Sequence, residues 1–173
     1  MAASLALRRL TADDERWLYE LERDPEVMRY TDRGPQTLAQ IRAQMAELLA
    51  GYDDPDALKL WVVVHPQLGD IGTAAFYRGD SGLYEVGYKL ARRHWGQGLG
   101  RAAMAALMRW VADHHPHAPL MAEAFEQNAA SGRILERFGF RRVRRHFNAS
   151  RQLWDLQYWR PPIDQLPLEG EQD

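Results

Sequence analysis

Hydrophobic positions along the chain switch between the two-residue period of strands and the 3.6-residue period of helices. Residues 5–10 read as a first strand. Thr11, three residues ahead of Asp14, gives the N-cap signal of a helix whose apolar face is Trp17, Leu18 and Leu21. Pro25, Gly34 and Pro35 break residues 23–35 into a loop or short helical turn. Leu38, Ile41, Met45, Leu48 and Leu49 then mark a second helix that stops at Gly51. Residues 58–64 and 71–78 are dense apolar runs on either side of a turn, which predicts a β-hairpin. A Gly79-Asp80-Ser81-Gly82 turn leads into a strand over residues 83–90. Leu99, Ala103, Ala106, Leu107, Trp110 and Val111 recur at helical spacing. Residues 120–125 form a further strand, 129–138 a fourth helix, and 140–147 with 152–159 two closing strands.

Composition adds limits to this alternating plan. The chain has 173 residues, 46% of them hydrophobic and 27% charged, enough apolar material for one domain with a real core. Residues 4–160 are expected to form that domain, and 161–173 a frayed acidic tail. A formal net charge of -2 gives no whole-protein field toward nucleic acid or an anionic membrane, so any basic site must be local. The absence of cysteine excludes disulfides, thiolate metal sites and a cysteine nucleophile, and fits a reducing cytosol. The first residues lack the pattern of a signal peptide, and no run of about 18 apolar residues occurs. A cytoplasmic protein without a membrane partner is the expectation.

The candidate chemistry lies in two segments. Arg93-His94-Trp95-Gly96-Gln97-Gly98-Leu99-Gly100 follows a strand and opens directly onto the third helix. Such a turn gathers free backbone N–H groups and the positive end of the helix dipole around one point, which suits a diphosphate. Gly96 to Gly100 would supply the amides, with Arg93 and Arg101 as charge partners. The spacing is not Gly-x-Gly-x-x-Gly, and no Gly-Lys-Ser or Gly-Lys-Thr occurs, so dinucleotide and P-loop sites are unsupported. The second segment runs from Asn128 through Ser131 to Gly139 and Phe140. Its Asn is a preferred N-cap and its Ser a local capping partner, so both residues also have a purely structural role open to them.

The element order and the two motifs together resemble the GNAT superfamily of acyl-CoA-dependent N-acetyltransferases. In that family the phosphate loop reads Arg or Gln, two residues, Gly, one residue, then Gly or Ala, a pattern met by Arg93, Gly96 and Gly98. Glu85-Val86-Gly87-Tyr88 and the Asn128…Ser131…Leu135-Glu136…Gly139-Phe140 helix are similar to the branch of ribosomal-protein-alanine N-acetyltransferases. The resemblance implies an α/β fold with a mixed, mostly antiparallel sheet of about seven strands and about four helices, and acetyl-CoA as co-substrate. It places the pyrophosphate on Arg93, Gly96, Gln97, Gly98, Leu99, Gly100 and Arg101. It lays the pantetheine along the backbone of Tyr88, Lys89 and Leu90, in a gap opened by a bulge at Gly87. It brings Asn128 toward the pantetheine and the Ser131 hydroxyl toward the sulfur, where it would protonate the leaving thiolate.

For the general base, alternation puts Glu85 on the strand face opposite Tyr84, Val86 and Tyr88, within reach of an attacking amine. His146 and Asp155 on the closing strands border the same cleft. An α-amine of pKa near 7.8 is roughly one-tenth neutral at pH 7, and a lysine near 10.4 about four parts in ten thousand, so a low-pKa acceptor needs a base least. The resemblance implies a primary amine as acceptor, on a protein N-terminus or a small molecule, and no sequence feature chooses between them. Two other readings stay open: a non-catalytic acyl-CoA sensor, and an RNA- or ribosome-binding protein using Arg141, Arg142, Arg144, Arg145 and Arg151. Nucleic acid is not the expected partner, and a homodimer is left open. His114, His115 and His117 suit the negative end of a helix better than a metal, and none is expected.

Overall fold

The computed structural model describes residues 4–166. Seven strands form one sheet in the order β1-β2-β3-β4-β5-β7-β6. They are β1 (Ala6–Arg9), β2 (Lys59–His65), β3 (Gly69–Arg78), β4 (Tyr84–Leu90), β5 (Leu120–Phe125), β6 (Arg141–Asn148) and β7 (Leu153–Arg160). Every neighbouring pair is antiparallel except β4 with β5. The helices are α1 (Glu15–Glu22), α2 (Leu38–Ala50), α3 (Leu99–His114) and α4 (Ala129–Arg137). The α/β plan expected from the sequence is the one observed, with element ends moved by a residue or two.

Each helix stands where its sequence signals put it. A 3₁₀ turn at Ala12–Asp14 precedes α1, with a capping box between Thr11 and Asp14. Thr37 caps α2 by accepting from the Gln40 N–H, and Gly51 ends it. The apolar stripe of α3 packs Ala103, Met104, Leu107 and Val111 onto one face of the sheet, against Phe76, Val86, Leu120 and Ala122. On the opposite face, α1 and α2 bury Leu18, Leu21, Ile41, Met45 and Leu48 against Leu60 and Val62 of β2. These two helices cover the β1–β3 half of their face. Over β4 to β7 that face instead lies under the 23–35 loop.

Long-range polar contacts fix that loop. Arg151, after β6, donates from Nη2 to the carbonyls of Met28 at 3.4 Å and Arg29 at 3.2 Å. The Asn148 amide donates to Asp32 Oδ1 at 3.0 Å. At the other end, Pro161 to Leu166 turn back on α4: the fully buried Arg160 donates to the Phe138 carbonyl and to those of Pro161 and Leu166. The rest of the predicted acidic tail lies outside the described residues.

The parallel junction between β4 and β5 is short. Tyr84 pairs with Leu120 and Glu85 with Met121, and pairing ends there, so the strands diverge toward the C-terminal end of β4. The bulge implied at Gly87 does not occur: Gly87 pairs with Ala75 in a register running unbroken from Gly72 to Arg78. The gap comes from the early end of pairing to β5, not from an extra residue in β4.

Gly72, which pairs with Leu90, holds β3 close beneath β4: a Cβ there would sit 2.0 Å from the Lys89 carbonyl oxygen. Backbone cannot step aside as a flexible side chain can, so Gly72→Ala is expected to destabilise the fold by about 3 kcal/mol. Urea titration checks this, and a loss under about 0.5 kcal/mol would contradict the packing described.

Candidate active site

The glycine-rich turn folds as an open cradle at the start of α3. Gly98 is the N-cap of α3, in the left-handed region at φ 75, and Gly96 is also left-handed at φ 71. No atom lies within 4 Å of a Cβ built on either residue, so packing does not demand glycine there. The demands are the positive φ and the open space over the first turn of α3, where N–H groups point outward unpaired. A cavity of about 620 Å³ is lined by this turn, by the facing sides of α3 and α4, by Tyr88 to Leu90 at the end of β4, and by Tyr30 and Thr31 of the 23–35 loop.

Tyr88, Lys89, Leu90, Gly96, Gly98, Leu99, Gly100, Arg101 and Asn128, with Ser131, all line this cavity. Tyr88 wedges between the helices, its phenol oxygen 3.2 Å from a Cβ built on Gly100 of α3, with Ser131 of α4 close by. Burial raises the Tyr88 pKa, and the Ser131 contact draws it down only in part. The Asn128 side chain accepts from the Ser131 backbone N–H at 3.3 Å, so it caps α4 while facing the cavity. Lys89 turns its ammonium to Glu22, whose side chain is fully buried.

Two expected contacts stand apart. The Gln97 amide donates back to the Arg93 carbonyl at 3.0 Å and braces the turn. Arg93 lines a smaller hollow with Trp17, Glu20 and Asp24. Besides Lys89, the cations that line the main cavity are Arg101 on α3 and Arg133 and Arg137 on α4, and none of these three makes an ion pair among the described residues. Arg133 and Arg137 were missed by sequence reasoning. Their four-residue spacing on one face of a short helix, beside Asn128, was the available signal.

On the α1 and α2 side of the sheet, strand register assembles a row of polar groups beneath the 23–35 loop. Directly paired residues share a face, and the pairs are Tyr77 with Glu85, Glu85 with Met121, Glu123 with Gln157, and Asp155 with both Phe125 and His146. The Tyr77 hydroxyl donates to Glu85 Oε2 at 2.9 Å, and the Gln157 amide to Glu123 Oε1 at 2.6 Å. His146 Nε2 lies 3.8 Å from Asp155 Oδ2. Burial raises the Glu85 pKa; the Tyr77 hydrogen bond opposes this, and the charges of Glu123, Asp80 and Asp32 add to it. A half-buried carboxylate with a raised pKa, held by a neutral phenol and by no arginine, is suited to accept a proton.

The remaining clusters resolve into local structure. Arg145 forms a bidentate pair with Glu126 at 2.9 and 3.0 Å and covers the Trp154 ring at 3.7 Å, so neither offers a free platform for a base. His114 stacks on Trp110, and His117 pairs with Asp164. No grouping of three metal-ligating side chains occurs among the described residues. No described helix is long and apolar enough to cross a membrane.

Known proteins share this architecture. Among solved structures, a spermidine N-acetyltransferase from Vibrio cholerae in complex with CoA and spermine superposes with a TM-score of 0.78 at 17% identity, covering 92% of this chain and 96% of that one. A ribosomal L7/L12 alpha-N-protein acetyltransferase in complex with coenzyme A also gives 0.78 at 17%, covering 94% and 96%. These two likenesses, at such identity, are of fold alone. An uncharacterized N-acetyltransferase p20 from Bacillus licheniformis is 26% identical over 141 residues, 80% of this chain and 79% of that protein. The profile described as "Acetyltransferase (GNAT) domain" matches residues 4–141, and the chain belongs to that acetyltransferase family.

Proposed function

We infer that the protein is an acetyl-CoA-dependent N-acetyltransferase that moves acetyl to a primary amine by direct attack in a ternary complex. The observation that carries this is the cavity joining the α3 cradle, Ser131 and the C-terminal end of β4, where that strand has parted from β5, with Glu85 earlier on the same strand. The cradle fits a pyrophosphate on two counts: outward N–H groups at a helix start, and side-chain-free space at Gly96 and Gly98. Arg101, Arg133 and Arg137 supply positive charge along the same channel. Beyond the cradle, the divergent edge of β4 leaves backbone groups for an extended arm to pair with.

In the reaction the amine nitrogen attacks the thioester carbonyl, the C–S bond breaks, and the nitrogen loses a proton while the sulfur gains one. Glu85 takes the proton from nitrogen, directly or through water, and Ser131 gives one to sulfur, with the Tyr88 phenol close beside it. The fold leaves the acceptor open, since polyamine and protein N-terminal acetyltransferases both superpose on it. A thiol-release screen with acetyl-CoA across N-terminal peptides, polyamines, amino sugars and aminoglycosides tests the reading. Turnover with at least one amine is expected. Tight acetyl-CoA binding with no thiol released by any amine would make the protein a sensor instead.

A further inference from the structure

We propose that Gly87 is the floor of the acceptor site: the room left by its missing side chain takes the carbon that bears the acceptor nitrogen. This rests on the acetyltransferase reading above and adds a specificity-determining position to it.

Glycine inside a strand weakens it and calls for a reason. Every other glycine among the described residues has one, because it either has a positive φ or would bring a built Cβ to 3.2 Å or closer from another atom. Gly87 does neither. Its φ lies outside the left-handed region, no atom stands within 4 Å of its built Cβ, and its pairing with Ala75 runs in unbroken register. Backbone conformation, packing and bulge formation would all let alanine stand here. What glycine leaves is open space on one face of β4.

Alternation and register place that space. Glu85, Gly87 and Lys89 share the face of β4 turned toward α1 and the 23–35 loop, since Lys89 reaches Glu22 of α1 and Ala75, opposite Gly87, packs with the α1 and α2 cluster. Gly87 and Ala75 make a low floor between two taller pairs, Glu85 with Tyr77 and Lys89 with Thr73. The Lys89 end holds polar atoms without partners. Thr73 is 1% exposed and its Oγ1 has none; the carboxylate of the fully buried Glu22 sets Oε1 against Lys89 and leaves Oε2 with none. Buried polar atoms are seldom left so, and a polar group or a water entering with the acceptor supplies the missing partner. Lys89 also lines the cavity assigned to acetyl-CoA. The floor thus lies on β4 between the proposed base and the end of the acetyl-delivery channel.

The test replaces Gly87 with Ala and with Val and follows thiol release from acetyl-CoA with an alanine-initiated peptide, spermidine, glucosamine and kanamycin. For the amine that the wild type turns over best, kcat/KM is expected to fall by about tenfold or more in Gly87→Ala and by about 10²-fold in Gly87→Val, because a methyl-sized change in a fitted pocket discriminates by that order. Acetyl-CoA should keep its affinity within severalfold, read as the thermal shift without amine. The melting temperature of Gly87→Ala should equal or exceed that of the wild type, since alanine restricts the unfolded chain and meets no atom in the folded one. A glycine kept only for the fold would behave oppositely, melting lower on substitution with turnover unchanged. A lower melting temperature in Gly87→Ala, unchanged kcat/KM in both variants, or an acetyl-CoA affinity that falls in step with turnover would each overturn the proposal. Absence of thiol release by the wild type with every one of these amines would instead overturn the acetyltransferase reading, and the proposal with it.

Discussion

Gly98→Glu is expected to abolish acetyl-CoA binding. A ligand at a hundredfold excess over its Kd stabilises a fold by about 2.7 kcal/mol, and that thermal shift should vanish in the variant. The residue caps α3 at φ 75 with open space around its Cα, so the new side chain would project into the place proposed for the pyrophosphate. Its negative charge would oppose the phosphates and occupy the positive end of the helix dipole in their stead. The left-handed backbone adds a strain of about 1 to 3 kcal/mol for any non-glycine residue. Gly98→Asn separates strain from charge, because Asn tolerates this conformation and carries no charge. It should keep a weakened shift. Unchanged affinity in a folded Gly98→Glu protein would remove the cradle from the phosphate site.

What the sequence made legible and what it hid divide along a physical line. The hydrophobic stripe of α3, the capping signal before α1 and the apolar run of β5 are local signals, and each element stands within a residue or two of its expected place. The cradle was equally readable, because a glycine turn running into a helix is one continuous segment. The gap between β4 and β5 was attributed to a bulge at Gly87, a local device, whereas it comes from where pairing between two distant strands stops. The acid row needs β4, β5, β7 and the 23–35 loop in register, and no one segment records it. Asp32 reaches it only because Asn148 and Arg151, far along the chain, fix the loop. Arg93 matches the family pattern in type and spacing, but it lines the smaller hollow beside Trp17 and Asp24, a placement that depends on chain far from the turn.

Ser131→Ala and Glu85→Gln separate chemistry from binding. If Ser131 protonates the thiolate, its loss should lower kcat by about 10² or more while acetyl-CoA affinity stays within severalfold, because the contact strengthens only in the transition state. The α4 cap is independent of the hydroxyl, since Asn128 accepts from the Ser131 backbone N–H, so the variant should melt normally. Full turnover in such a protein would move the proton to Tyr88, whose phenol stands close to Ser131 and lines the same cavity, or to water. Glu85→Gln should lower kcat/KM most near neutral pH. Its folded pKa is raised by burial and by Glu123, so the wild-type rate should fall as pH drops through that value and the carboxylate gains a proton. As pH rises the free amine accumulates and needs a base less, so the ratio of wild type to Glu85→Gln should shrink. The ionised Glu85 is a cost to the fold, and replacing it with a neutral amide should leave stability at pH 7 equal or higher. A ratio that stays flat with pH would pass the role of base to His146, which stands beside Asp155 on the same face.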